Sequence, residues 1–394
     1  MTSRTLRGKT AIAGIGETTY YKRGKSPYPE FRLALDAILA AAADAGLDPR
    51  EIDGFASFAD ERSTPTRLAS ALGLKELKFA SLSWEGGGGG GAGALGTAAA
   101  AVATGVADCV VVWRAITSGA SRRGVGAGGS ASIQGDRAMW YPYGMISPAQ
   151  MFAMRVNRFM HDHKIETSAL RAIAMASYAH AQTNPRAVMY GKPLTEAAYD
   201  ESRYIIEPFH RLFDCCQEND GASAVIVTSA ERARDLKQKP AYILGAAQGT
   251  SYRFAAKAHN SPDYASAGFT SLAPRLYEMA GVKPEDIDVL QLYENFTGGV
   301  LMVLIEHGFI KPEEANDFLK LENLIAPDGK LPLNTSGGNL AECYMHGIGL
   351  QIEAVRQLRG QSAAQVKDAK LALMASGPMV APTSNVIFGT AETL

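Results

Sequence analysis

AGLDPREID, residues 45–53, returns as AGVKPEDID at residues 280–288. Each copy reads as a helix end, a glycine stop, a turn begun by proline, and the start of a buried strand. Gly46 and Gly281 suit the left-handed position that closes a helix, and Pro49 and Pro284 cannot continue one, so both copies punctuate the chain alike. Outward from the pair the likeness persists. FRLALDAILAAAADAGL (31–47) and LAPRLYEMAGV (272–282) carry helical periodicity, and strand-like KTAIAGIGETT (9–19) and PAYILGAAQGTS (240–251) precede them in the same order. Downstream, GGGAGALGTAAAAVATGVADCVVVWRA (89–115) is answered by SGGNLAECYMHGIGLQIEAVRQLRG (336–360) with AKLALMASG (369–377). The order strand, helix, strand, glycine turn, helix, strand occurs twice, which predicts two α/β halves whose mixed sheets are covered by helices.

Residues 116–213 stand outside this repeat. The sequence divides into a first half (1–115 with 214–237), an inserted cap (116–213) and a second half (238–394). SRRGVGAGGSASIQGDRAMWYPYGMISPAQ (121–150) is dense in glycine and aromatics, a composition expected of a lid or binding loop. AQMFAMRVNRFMHDHK (149–164) and SALRAIAMASYAHAQT (168–183) read as helices packed on the core, or as the wall of an apolar channel. Trp140, Tyr141 and Tyr143 are open to the same two readings.

At 394 residues the chain holds a large core, and a net charge of -1 with 20% charged residues argues against nucleic-acid binding. No run is long and apolar enough for a membrane span, and the N-terminal stretch lacks a secretory signal, so a cytoplasmic protein is expected. The four cysteines, Cys109, Cys215, Cys216 and Cys343, lack CxxC spacing and clustered histidines, so no metal site is expected. Cys109 reads as a buried apolar group. Vicinal Cys215 and Cys216 are open to reactivity or to packing.

Two halves of one order, a cap in the first, NDGASAVIV (219–227) closing that half, LQLYENFTGG (290–299) and NTSGGNLAECYMHGIG (334–349) together resemble the thiolase superfamily over nearly the whole chain. Within it, the likeness is to sterol-carrier-protein thiolases and their lipid-transfer-protein relatives, some of which are steroid side-chain aldolases. The resemblance implies a duplicated, five-layered αβαβα fold with an inserted cap. Aligned on the family's helix start, the nucleophilic cysteine falls near Gly88, inside six consecutive glycines. The family's strand-end asparagine or histidine falls on Tyr293, and the histidine that activates the nucleophile falls on Tyr344. The second catalytic cysteine is absent from Ser376-Gly377-Pro378.

With both sulfurs gone, acyl-enzyme chemistry has no nucleophile. Cys343 lies one residue from the base position and lacks a partner base. What remains are bare amides at a helix N-terminus and two phenols. Gly88, Gly377 and Gly338 are the candidates to hold an oxyanion, although six glycines also serve close packing of two backbones. Tyr344 is assigned as base and Tyr293 as proton donor, a pair of roles that the sequence allows to be reversed. A phenolate needs help at neutral pH, and His346 and Asn295 are the candidates to supply it.

The resemblance implies a carbon–carbon lyase: retro-aldol cleavage of a β-hydroxyacyl-CoA on a steroid side chain, giving a ketone or aldehyde and propionyl-CoA or acetyl-CoA. Coenzyme A enters only as part of the substrate, and no other cofactor is expected. The family also implies a homodimer, and a heterotetramer with a small OB-fold, zinc-ribbon partner. Two rivals stay open: acyl transfer or decarboxylation without cysteine, and a non-catalytic acyl-CoA- or lipid-binding subunit.

Overall fold

A computed structural model of the chain describes residues 5–84, 87–117, 137–251 and 263–394. Most of the glycine-rich stretch expected to form a lid lies outside these residues, as does Glu85.

The first half runs β1 (Thr10–Glu17), α1 (Glu30–Ala45), β2 (Gly54–Phe58), α2 (Pro65–Leu72), β3 (Phe79–Ser83), α3 (Gly90–Ala103), β4 (Cys109–Ile116) and, after the cap, β5 (Asn219–Ser229). The cap contributes α4 (Pro148–His163) and α5 (Ser168–Ala181). The second half runs β6 (Ala241–Gly249), α6 (Ala273–Ala280), β7 (Val289–Leu292), α7 (Thr297–Glu306), α8 (Ile348–Arg359), β8 (Leu371–Ser376) and β9 (Thr383–Gly389).

The duplication is visible strand by strand. In the first half the sheet order is β3-β2-β4-β5-β1, and in the second it is Leu333-β7-β8-β9-β6, where Leu333 stands alone as a bridge to Leu290. The pairings match in sense as well: β2 is parallel to β3 and β4 as β7 is to Leu333 and β8, and β4–β5–β1 are antiparallel as β8–β9–β6 are. A short antiparallel contact, Ala11 with Tyr242 and Ile12 with Ala241, joins the two into one sheet.

The repeated residues do the repeated work. Gly46 and Gly281 sit at φ 75 and 66 and close α1 and α6 in left-handed geometry. Pro49 and Pro284 each open a single 3₁₀ turn. The Asp53 carboxylate accepts the N–H groups of Asp108 and Cys109, and the Asp288 carboxylate accepts those of Lys370 and Leu371. Each aspartate thereby satisfies the backbone donors where the neighbouring parallel strand begins.

α3 and α8 pack against strands of both halves and form the middle of five layers, with α1 and α6 on the outer faces. The faces of α3 toward both sheets are built from glycine and alanine, which lets backbone approach backbone. α5 packs on α7 and on the π-helical turn Gly338–Glu342, so the cap rests on the second half. Tyr143 is 84% exposed and therefore lines no enclosed channel within the chain, whereas Trp140 is buried. No described helix is long and apolar enough to cross a membrane.

Candidate active site

The two phenols meet. Tyr293 Oη donates to Tyr344 Oη at 2.7 Å, with ring centroids 5.9 Å apart. Their positions follow from how each chain segment is held. Tyr293 follows β7 directly, and its N–H donates to Ala375 O on β8. One residue earlier, Leu292 is clasped at both backbone atoms by the Asn334 side chain, which accepts from its N–H at 2.7 Å and donates to its carbonyl at 2.8 Å. An amide side chain thus continues the ladder where the first half uses a strand. The Tyr344 N–H donates to Asn219 Oδ1 at the start of β5, tying the second half's loop to the first half's sheet.

Gly88 explains itself against Tyr293. A β-carbon at position 88 would fall 1.9 Å from Cζ and 2.0 Å from Oη of Tyr293, and one at Gly347 would fall 2.9 Å from Cδ2 of the same ring. The phenol occupies the volume that a side chain at 88 would take. The rest of the run is equally close: Gly89 is packed against Pro382 O, Gly90 against Phe58, and Gly91 against Ser376 Oγ. Gly377, at φ 68, sits with its α-carbon face on Gly89. Close packing is therefore a function of the glycines, alongside whatever their amides bind. The Gly93 N–H is taken by Ser384 Oγ. Gly338 is turned to a different group, because a β-carbon there would lie 1.9 Å from Glu294 Oε1.

Electrostatics change the expected roles. Burial pushes both phenols above tyrosine's ordinary value. For Tyr293 the bond to Tyr344 and the charge of Arg114 oppose the rise, whereas for Tyr344 the neighbouring Tyr293 and Cys216 add to it. Burial therefore disfavours a tyrosinate at either position, against the phenolate form expected of the base. Tyr293 is 1% exposed, and Tyr344 and His346 are half-buried, so Tyr344 is the member open to a ligand.

Of the two helpers expected from sequence, Asn295 accepts the Phe296 N–H at Oδ1, at the start of α7. His346 lies edge-on to the Tyr344 ring at 4.9 Å, but its Nδ1 accepts from Arg114 Nε at 3.2 Å. The cation near Tyr293 is Arg114 itself. It is fully buried on β4 and paired with Asp60 at 2.5 Å and Glu61 at 3.3 Å. An arginine inside the apolar run CVVVWRA was the available signal, since a buried charge persists only when paired.

Cys216 is also a neighbour of Tyr344, placed there because its N–H donates to Asn295 O while Gln217 N–H donates to Asn339 O. Burial pushes its thiol well up, so it is a protonated neighbour rather than a nucleophile. Cys343 is buried on the other side with Tyr20, Ile116 and Met345. Glu294, wholly buried beside Tyr293, is pushed up to about 8 by burial, against hydrogen bonds from Asn339 N–H, Asn334 and Ser177. Among the described residues no group of three or more His, Cys, Asp or Glu side chains is placed to hold a metal ion.

Residues 252–390 match the family model described as thiolase C-terminal domain-like. The chain is 42% identical to a steroid side-chain-cleaving aldolase of Thermomonospora curvata, over 98% of both chains. It is a member of the thiolase superfamily, in the branch of that aldolase. A 17-hydroxy-3-oxo-4-pregnene-20-carboxyl-CoA lyase of Mycobacterium tuberculosis is 41% identical over 98% of this chain and 100% of its own. A solved structure titled Ltp2-ChsH2(DUF35) aldolase superposes with a TM-score of 0.91 at 40% identity, covering 99% of this chain and 100% of that one. As a thiolase-fold protein the chain carries an altered centre: glycine at the expected cysteine, and tyrosine at both principal polar positions.

Proposed function

We propose that the chain is a lyase that breaks the Cα–Cβ bond of a β-hydroxyacyl-CoA on a steroid side chain, of the 17-hydroxy-20-carboxyl-CoA type, releasing a ketone and propionyl-CoA. The observation that carries this reading is the 2.7 Å contact between Tyr293 and Tyr344 above a glycine floor without sulfur. Claisen chemistry needs an acylated thiol, and retro-aldol cleavage does not.

Tyr344 meets the β-hydroxyl. As the Cα–Cβ bond breaks, its electron pair moves into the thioester enolate and a carbonyl forms at Cβ. Tyr344 oxygen takes the hydroxyl proton and gives its own proton to Cα. Tyr293, donating to the same oxygen, steadies the charge that develops there, and the pair starts and finishes neutral. Amides of Gly88 and Gly377 are the proposed donors to the enolate oxygen; Gly338, facing Glu294, is a weaker choice.

The chain is further proposed to work as a homodimer with a small OB-fold, zinc-ribbon partner in a heterotetramer. Support comes from β3, the edge of the sheet, which exposes Leu82 at 48% and is followed by Trp84 at 85%, an apolar edge of the kind proteins cover. The DUF35 component of the related Ltp2-ChsH2(DUF35) aldolase supports the second chain.

The test is product analysis with such a β-hydroxyacyl-CoA, for the chain alone and with its partner. Ketone and propionyl-CoA in equal amounts, without free CoA, are expected. Free CoA would favour acyl transfer, and binding without turnover under both conditions would make the chain a carrier.

A further inference from the structure

We propose that Arg114 is a positioning residue that fixes the tautomer of His346, so that the imidazole faces the substrate as an Nε2–H donor and not as a base. This rests on the lyase reading above and adds the direction in which His346 shares a proton.

A guanidinium has five N–H donors, no acceptor, and keeps its proton throughout the accessible pH range. Here its terminal nitrogens are committed to Asp60, Glu61 and the Phe58 carbonyl, and Glu61 is further held by the Ala115 N–H at 2.9 Å. The planar fork therefore has no freedom left, and Nε–H points at Nδ1 of His346, 3.2 Å away. A hydrogen bond between two nitrogens needs one lone pair, and only Nδ1 has one to offer. The proton of the neutral ring is then on Nε2. A base at Nε2 would require Nδ1–H to face the arginine N–H, donor against donor.

The backbone is shaped for this contact. His346 sits at φ 48, left-handed for a residue with a β-carbon, and Gly347 follows at φ 90. Such a conformation costs on the order of 1 kcal/mol and persists where the surroundings hold it. Arg114 is wholly buried and His346 half-buried, so the contact at Nδ1 is made on the buried side of the ring. A fixed neutral donor beside Tyr344 suits the enolate oxygen, on which charge grows during cleavage.

Two side-chain replacements separate donor from base. Glutamine carries its amide near the Nε2 position, and asparagine carries one near Nδ1. We expect His346→Gln to keep kcat within about 10–100-fold of wild type and His346→Asn to lose about 10³-fold, a range typical of a lost oxyanion donor. Asparagine is the better fit to the left-handed backbone, so a purely structural role predicts the opposite order.

Imidazole ¹⁵N spectra of the full-length chain, with His346 assigned by its disappearance in His346→Gln, should show a protonated Nε2 and a bare Nδ1. Arg114→Lys should mix the two tautomers and lower kcat with KM unchanged. A protonated Nδ1 in the wild type overturns the proposal, as does an asparagine variant as active as the glutamine one. If wild type cleaves no β-hydroxyacyl-CoA, the lyase reading fails while the spectra still decide the tautomer. If Arg114→Lys does not fold, the glutamine–asparagine pair carries the test.

Discussion

In the first half Gly87–Gly89 lead directly into α3, helical from Gly90 to Ala103. The same step in the second half is broken. After the single bridge at Leu333 come Gly337 at φ 108, Gly338 at φ 56, a π-turn to Glu342, an extended Cys343, and only at Ile348 the helix α8. Both are glycine turns that lead to a helix, as the order of elements predicts, but in the second a π-turn and an extended stretch intervene. The break is what lifts Tyr344 and His346 out of a helix and sets them against Tyr293. The unbroken copy supplies room and the interrupted one supplies reactive groups.

The sharpest way to break this division is Gly88→Cys, which restores a side chain at the family's nucleophile position. With Tyr293 1.9 Å from the new β-carbon, the variant should lose all measurable cleavage and about 1–3 kcal/mol of stability through overpacking. Adding Tyr293→Ala should relieve the clash without restoring the activity, and thermal melts of wild type, the two single variants and the double give the coupling.

Next in size are the phenols. Tyr344→Phe should lower kcat by about 10²–10⁴, as for a lost acid–base group, with an unchanged melting curve. Tyr293→Phe should cost less, because it removes only the partner of the reacting oxygen. A larger loss at Tyr293 would mean that the buried phenol, not the half-exposed one, handles the substrate proton.

Glu294 gives the interrupted half a pH dependence, to which Glu342, also held near 8 by burial, adds. The Glu294 carboxyl is held near 8 by burial, above the ordinary carboxylate range it has in the unfolded chain. The folded state therefore binds a proton that the unfolded state has lost. Stability should fall as pH rises from about 4.5 to about 8. Glu294→Gln should make that slope shallower, read as melting temperature against pH, with Glu342 supplying what remains; an unaltered slope would place the titration elsewhere.

The mildest test sharpens the likeness instead. Asp53→Ala and Asp288→Ala each strand two backbone donors. Each should cost about 1–3 kcal/mol in denaturant unfolding. Unequal costs would show that the aspartates serve their halves differently, Asp53 having Lys78 as an added partner at 3.0 Å.

Much of this was legible before coordinates. Glycine stops and proline turns act through neighbours in sequence, so they announced the duplication and its order of elements, whereas the paired aspartates repeat in sequence but bond to residues far along the chain. Tyr293 and Tyr344 were found by counting along motifs. Arg114, Gly347 and Cys216 were not, because each acquires its meaning from a residue far along the chain: His346, Tyr293 and Tyr344 respectively. Asn334 was used as a counting mark, while its work as a substitute strand depends on Leu292 lying beside it. The direction of the phenols' pKa shift was hidden for the same reason, since burial is a property of the assembled layers.

The mutual exclusion of Gly88 and Tyr293 also bears on how such a centre changes over generations. A codon change that brings back the thiol while the phenol stands collides with the ring, and losing the phenol first discards the present chemistry with no other in its place. A side chain at position 88 and the phenol of Tyr293 exclude one another, so exchanging one for the other takes two changes.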